Sequence, residues 1–310
     1  MRRINDLRSS LILLILWSCV PTANARQAET KAVEDVPSIL LVTAHPDDEA
    51  LFGGLVYRVA VELGGRVELA VVTDGAGGYR YSTLAEPVYG LDLTNPEVAR
   101  EYLAAIRKRE LLAGGRFVGI RKYHFLDETD SGYTTDPDSI LSQVWDGGYV
   151  ENRLVEIMSA GDFDIVLTHL PQESMHGHHK SASILGIRAA RRLGAESPIV
   201  LGAWIDALGD STETRFDVLE GYPDTRTTST RAKWTFDRTH GIGLDGRLNY
   251  KIPVNWLISE HKSQGTMQQI VNVGDVESYW LYESNPEGAE ERANDFFDWV
   301  NTWPEGSPGS

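Results

Sequence analysis

The feature that most constrains this chain is an alternation: short runs of aliphatic and β-branched residues, apolar over most of their length, are followed by longer stretches with helical periodicity. The runs are 38–44 (SILLVTA), 66–73 (RVELAVVT), 122–126 (KYHFL), 163–169 (FDIVLTH) and 198–204 (PIVLGAW). A strand apolar along its length has to be covered on both faces, as in a parallel sheet. With helical patterns at 49–63, 97–113, about 149–158, 178–193, 254–263 and 287–300, the alternation predicts an α/β fold of the doubly wound, Rossmann-like kind. The sheet is expected to be mostly parallel, with helices on both faces. Residues 206–251, rich in Thr, Asp, Arg and Gly, predict an irregular C-terminal insertion able to shape a site. Trp204, Trp234, Trp256 and Trp280 fall in the same half and are read first as packing residues, although such rings also stack on sugars.

With 310 residues, the chain can bury the core of one large domain, placed here at 37–303. Residues 1–25 have the parts of an export signal in order: Arg2, Arg3 and Arg8, the apolar run from Leu11 to Trp17, and the small-x-small site Ala23-Asn24-Ala25. That run is too short for a permanent membrane span, which takes roughly 20 residues. A flexible leader at 26–36 and a loose tail at 304–310 complete the expected organisation, and the protein is expected to be exported to a periplasmic or extracellular location. Leu16-Trp17-Ser18-Cys19 offers the alternative of a lipid anchor at Cys19, against which the bulky Trp17 argues. Cys19 is the sole cysteine, so cleavage after Ala25 leaves none, and disulfides, thiol catalysis and Cys-type metal sites are excluded together. The formal charge is −16; the signal segment carries +2, which leaves −18 for the remainder and argues against nucleic acid as a partner. Oligomeric state is left open.

Chemistry concentrates in two places. The first run leads into Ala44-His45-Pro46-Asp47-Asp48-Glu49, which sets a histidine and three acids at the carboxyl end of a buried strand, the edge where α/β sheets bind ligands. Pro46 stiffens the turn. His45 and Asp48, three residues apart around it, can point at a common centre such as zinc, which takes nitrogen and oxygen ligands. Asp47 projects differently and suits a general base or an outer carboxylate. Three acids at a helix start could simply complement the helix dipole, but that leaves His45 and Pro46 without a reason. The second place is Met175-His176-Gly177-His178-His179-Lys180, just past the fourth run. His176 and His179 have spacing that lets one ligate a metal while the other acts on a substrate; a surface cluster is the plainer reading of these histidines taken alone.

The AHPDDE motif followed far downstream by His-x-x-His resembles the LmbE-like or PIG-L superfamily of N-acetylglucosaminyl de-N-acetylases, chiefly over 39–193. The resemblance implies a zinc ion, or another divalent metal, held by His45, Asp48 and His179. It further implies Asp47 as general base and His176 as acid or oxyanion stabiliser. Arg107 in Arg107-Lys108-Arg109-Glu110-Leu111 and Asp130 in Asp130-Ser131-Gly132 would hold sugar hydroxyls or a neighbouring group. His261-Lys262-Ser263-Gln264 also looks like a recurrent family feature. Where members often have aspartate before the last histidine, this chain has His178. The implied activity is hydrolysis of the N-acyl, typically N-acetyl, group of a small amino sugar or its conjugate. An amidase for glycopeptide-like or longer-acyl substrates, and a metal-dependent sugar-binding protein without turnover, are the alternatives.

Overall fold

The computed structural model describes residues 36–207 and 213–302. A seven-stranded sheet organises them. Five strands, β1 (Ser38–Thr43), β2 (Arg66–Thr73), β3 (Lys122–Glu128), β4 (Ile165–His169) and β5 (Ile199–Asp206), are mutually parallel. β6 (Trp234–Asp237), β7 (Gly241–Gly243), β8 (Leu248–Asn249) and β9 (Val276–Leu281) follow. The order across the sheet is β3-β2-β1-β4-β5-β9-β6, with β9 antiparallel to both neighbours, while β7 and β8 form a separate hairpin. The five expected strands are therefore present, and the sheet is mostly parallel.

Alternate residues of the strands face opposite layers. Ile39 and Leu41 of β1, with Val67, Leu69 and Val71 of β2, pack under the helical segment 48–62, which contains α1 (Gly53–Tyr57), and under α2 (Pro96–Val118), α5 (Lys251–Glu260) and α6 (Ala289–Val300). Leu40, Val42, Ala70 and Val72 point the other way, onto α3 (Gly147–Gly161) and α4 (Gly177–Arg192). Each fully buried Leu of this kind contributes roughly 2–5 kcal/mol when measured against Ala.

Three features differ from the sequence reading. Residues 49–63, expected as one α-helix, begin as a 3-10 turn (Asp48–Phe52), pass through α (Gly53–Tyr57) and end as a π turn (Arg58–Glu62). Residues 206–251 are not wholly irregular: they contribute β6 and the β7–β8 hairpin. β9 lies outside every expected strand. It carries the fully buried Glu277, whose carboxylate accepts from Gly54 N (2.7 Å) and Leu55 N (3.1 Å) and pairs with Arg238 (2.7 Å). Trp280 is buried and Trp234 stacks on Phe297 at 5.3 Å, as packing residues do, whereas Trp256 is half exposed. No helix among the described residues is long and apolar enough to cross a membrane. The expected export signal, Cys19 and the 304–310 tail lie outside the described residues.

Candidate metal centre and active site

Chain direction around the sheet brings the two motifs together. β1 lies between β2 and β4, so successive strands are added to one side of β1 and then, from β4 onward, to the other. Ligands bind at such a switch point, beyond the carboxyl ends of the strands. His45 follows β1, and His169 through His179 close β4 and open α4.

After β1 the chain turns back on itself through Asp48. Its Oδ2 accepts from Ala44 N (2.9 Å) and His45 N (2.7 Å), which fixes the carboxylate against the strand end. Asp47 sits at φ 141°, ψ −19°, a region that L-residues rarely adopt. Such a conformation costs on the order of 1–3 kcal/mol and persists only where the surroundings over-determine it.

On the β4 side, His176 is the N-cap of α4: its Nδ1 accepts from His178 N at 3.0 Å. An accepting Nδ1 has no proton, so the neutral ring carries its hydrogen on Nε2. One turn on, His179 Nε2 lies 3.0 Å from Asp48 Oδ1 and 3.1 Å from His45 Nδ1, and His45 Nδ1 is 3.6 Å from Asp48 Oδ2. Donors at 2.0–2.1 Å around a tetrahedral ion stand about 3.3 Å apart, so these three side chains have the spacing and chemistry of a two-histidine, one-carboxylate site. His45, Asp48 and His179, expected as ligands, are thus brought together.

Neighbours lock these rings. His45 Nε2 meets the buried His178 Nδ1 at 3.0 Å, and His178 Nε2 meets Ser131 Oγ at 3.1 Å. A His45 that offers Nδ1 to a metal therefore donates its Nε2 hydrogen to His178, the kind of outer contact that fixes a ligand's tautomer. His178 also stacks on Trp145 at 5.2 Å. His169, the last residue of β4, lies parallel to His179 at 4.4 Å and has its Nε2 4.0 Å from Asp48 Oδ1. His169 was missed in the sequence because it stands in no motif; its place at the end of the strand beside β1 was the available signal.

Electrostatics follow from this crowding. Burial and the Asp48 charge push the Asp47 carboxyl up to about 7. Burial disfavours a charged Asp48, yet the His179 and His169 rings hold it well below the usual carboxylate range. Burial would lower His45, but the Asp48 hydrogen bond and charge prevail and raise it to about 9. Burial, then the charge of His45, brings His176 down to about 4 and His178 to about 3; burial and His179 bring His169 to about 3. A bound dication favours ionised carboxylates and neutral imidazoles throughout such a set.

The two expected sugar-contacting residues are placed differently. The buried Arg107, expected to hold sugar hydroxyls or a neighbouring group, directs its guanidinium at Gly75 O, Gly78 O (2.9 Å) and Ser263 O (3.2 Å), and so braces a neighbouring loop. Asp130 lies nearer the centre: its Oδ1 accepts from Gly132 N (3.0 Å) and stands 3.6 Å from His178 Nδ1. Tyr133, about three-quarters exposed at 74%, sets its ring edge-on to His176 at 5.1 Å on the same loop.

Fold and site together define a class: an α/β protein with a His-Asp-His centre at the switch point of its sheet. Residues 40–190 match the PIG-L family, described as GlcNAc-PI de-N-acetylase. A curated relative, the diacetylchitobiose deacetylase of Thermococcus kodakarensis, is 27% identical over 164 residues, which is 52% of this chain and 51% of the relative. The chain thus matches about half the length of that relative. Among solved structures, the A40926 pseudoaglycone deacetylase superposes with a TM-score of 0.53 at 16% identity, covering 80% of this chain and 97% of the other. The N,N'-diacetylchitobiose deacetylase from Pyrococcus horikoshii gives 0.50 at 16% identity, over 81% and 85%. At these identities the likeness is one of fold.

Proposed function

We propose that this protein is a zinc-dependent hydrolase that removes the N-acyl group, acetyl in the first instance, from a small amino sugar or its conjugate. The observation that carries the reading is the convergence of His45 Nδ1, Asp48 Oδ1 and His179 Nε2 from the two sides of the switch point, with Asp47 and His176 beside them. Two imidazoles and one carboxylate suit zinc among the common divalent ions. When bound, the ion polarises the amide carbonyl and lowers the pKa of a water towards about 7. Asp47, whose own carboxyl is raised to about 7, accepts a proton from the attacking water. His176, neutral and with Nδ1 occupied by the helix N–H, donates from Nε2 to the carbonyl oxygen as negative charge builds there. The proton held by Asp47 passes to the leaving nitrogen as the C–N bond breaks, and the water's second proton, left on the new carboxyl group, moves to the amine, giving a carboxylate and an ammonium.

The family match over 40–190 and the diacetylchitobiose deacetylase relative support the amino-sugar substrate class. Purified, zinc-loaded protein should release free amine from a panel of N-acetyl amino sugars. Chelation should abolish the release, and Asp47→Asn should keep the metal and lose turnover. Tight binding of the same sugars without any amine release would favour a binding protein instead. Export is part of the same reading and rests on Arg2, Arg3, the Leu11 to Trp17 run and Ala23-Asn24-Ala25. Mass analysis of protein recovered from the producing cells should find a mature N-terminus at Arg26, and a lipidated Cys19 terminus would contradict that site.

A further inference from the structure

The segment His261-Lys262-Ser263-Gln264, just past α5, contributes nothing to the metal centre, yet it is tied to the turn that carries Asp47. His261 and Glu49 are both fully buried and meet at 2.6 Å, Nε2 to Oε1. The other oxygen of Glu49 accepts from Asp47 N at 3.0 Å. Gln264, also buried, donates through Nε2 to Pro46 O. Pro46 O and Asp47 N are the two polar ends of a single peptide group. That one plane is therefore held at its carbonyl by Gln264 and at its N–H by Glu49, which is itself held by His261.

The consequence follows from backbone geometry. The φ angle of Asp47 is the torsion about its N–Cα bond, so with the backbone after Asp47 held in the 3-10 turn (Ala50 N to Asp47 O, 3.1 Å), holding the preceding peptide plane holds φ. At 141° this is a strained setting, and a flip of the plane would relieve it. The segment is anchored in turn: Ser263 N and Oγ lie 2.9 Å and 2.7 Å from the Glu110 carboxylate, and Arg107 donates to Ser263 O. Arg107 also bonds Gly75 O, and a side chain at Gly75 would press within 2.9 Å of the Pro46 ring. The turn is thus enclosed on both sides.

We propose that Glu49, His261 and Gln264 are positioning residues that lock the Pro46–Asp47 peptide and so aim the Asp47 carboxylate at the attacking water. This inference rests on Asp47 being the base. A double-mutant cycle between Gln264→Met and Asp47→Asn tests it, with kcat, KM and zinc stoichiometry measured for each protein. Gln264→Met should lower kcat about 10- to 100-fold, with KM and bound zinc unchanged. In the Asp47→Asn background the same change should have almost no effect, because a residue that acts only through Asp47 has nothing left to position. His261→Gln loosens the other end of the same peptide and should follow the same pattern, so the cycle can be read in whichever variant folds. Additive losses, loss of zinc in step with kcat, or wild-type kcat in the single variants would overturn the proposal and leave the hydrolase reading standing. Full activity in Asp47→Asn alone would instead remove the base assignment on which it rests.

Discussion

At the scale of single residues, the proposed mechanism gives His176 two tasks that can be separated. Its Nδ1 caps α4, and its ring lies 5.1 Å from the His45 ring and 5.5 Å from the His179 ring, centroid to centroid. His176→Ala should lose both, with about 0.5–2 kcal/mol of stability from the cap and about 100- to 1,000-fold in kcat from the donor. Asparagine is a good N-cap, so His176→Asn should keep the melting temperature and still lose the rate; equal recovery of both would contradict the assignment. Away from the site, Glu68 gives a pH signature of stability. Burial would raise its carboxyl, but His124 (2.8 Å), Arg66 (2.7 Å) and Lys122 (3.3 Å) hold it below its ordinary 4.5. The folded pKa is the lower one, so the contribution is complete above pH 4.5 and is lost as pH falls through the folded value. Urea midpoints measured from pH 6 to 3 should fall less steeply for Glu68→Gln than for the unmodified protein; parallel acid limbs would refute the pairing.

At the scale of elements, what could be read in the sequence followed burial. β1, β2, β4 and β5 are covered on both faces, and a continuous apolar run is the mark that such covering leaves. β9 escaped because a fully buried Glu277 interrupts its pattern, and that glutamate is acceptable only because Arg238, Gly54 N and Leu55 N satisfy it from distant parts of the chain. β6 escaped for the opposite reason, since it is a short edge strand with Thr235 and Asp237 exposed. The site divides in the same way. His45, Asp48 and His179 could be read from two compact motifs with ligand chemistry. Arg107 could be named from its motif but its partners could not, because the carbonyls it bonds belong to Gly75, Gly78 and Ser263, which only the fold brings near. Glu277→Ala should therefore cost far more than its place in an unremarked strand suggests, about 3–5 kcal/mol by chemical denaturation, because it leaves Arg238 buried without its partner. A change under 1 kcal/mol would sink that reading.

At the scale of the whole molecule, the sheet's chain order does the assembling: residues more than 130 positions apart meet because β1 and β4 are neighbours at the switch point. A metal at that junction ties the two sides together, so it should stabilise the fold as well as supply chemistry. At a free zinc concentration 1,000 times the dissociation constant, linkage predicts about 4 kcal/mol of added stability, and calorimetry of metal-free and loaded protein should find the melting temperature raised accordingly. The most direct test of the central claim is an anomalous-difference map of zinc-loaded crystals recorded at the zinc absorption edge. One strong peak within about 2.0–2.2 Å of His45 Nδ1, Asp48 Oδ1 and His179 Nε2 is the predicted result. A map with no peak among those atoms, or with zinc held elsewhere while His179 turns to solvent, would contradict it.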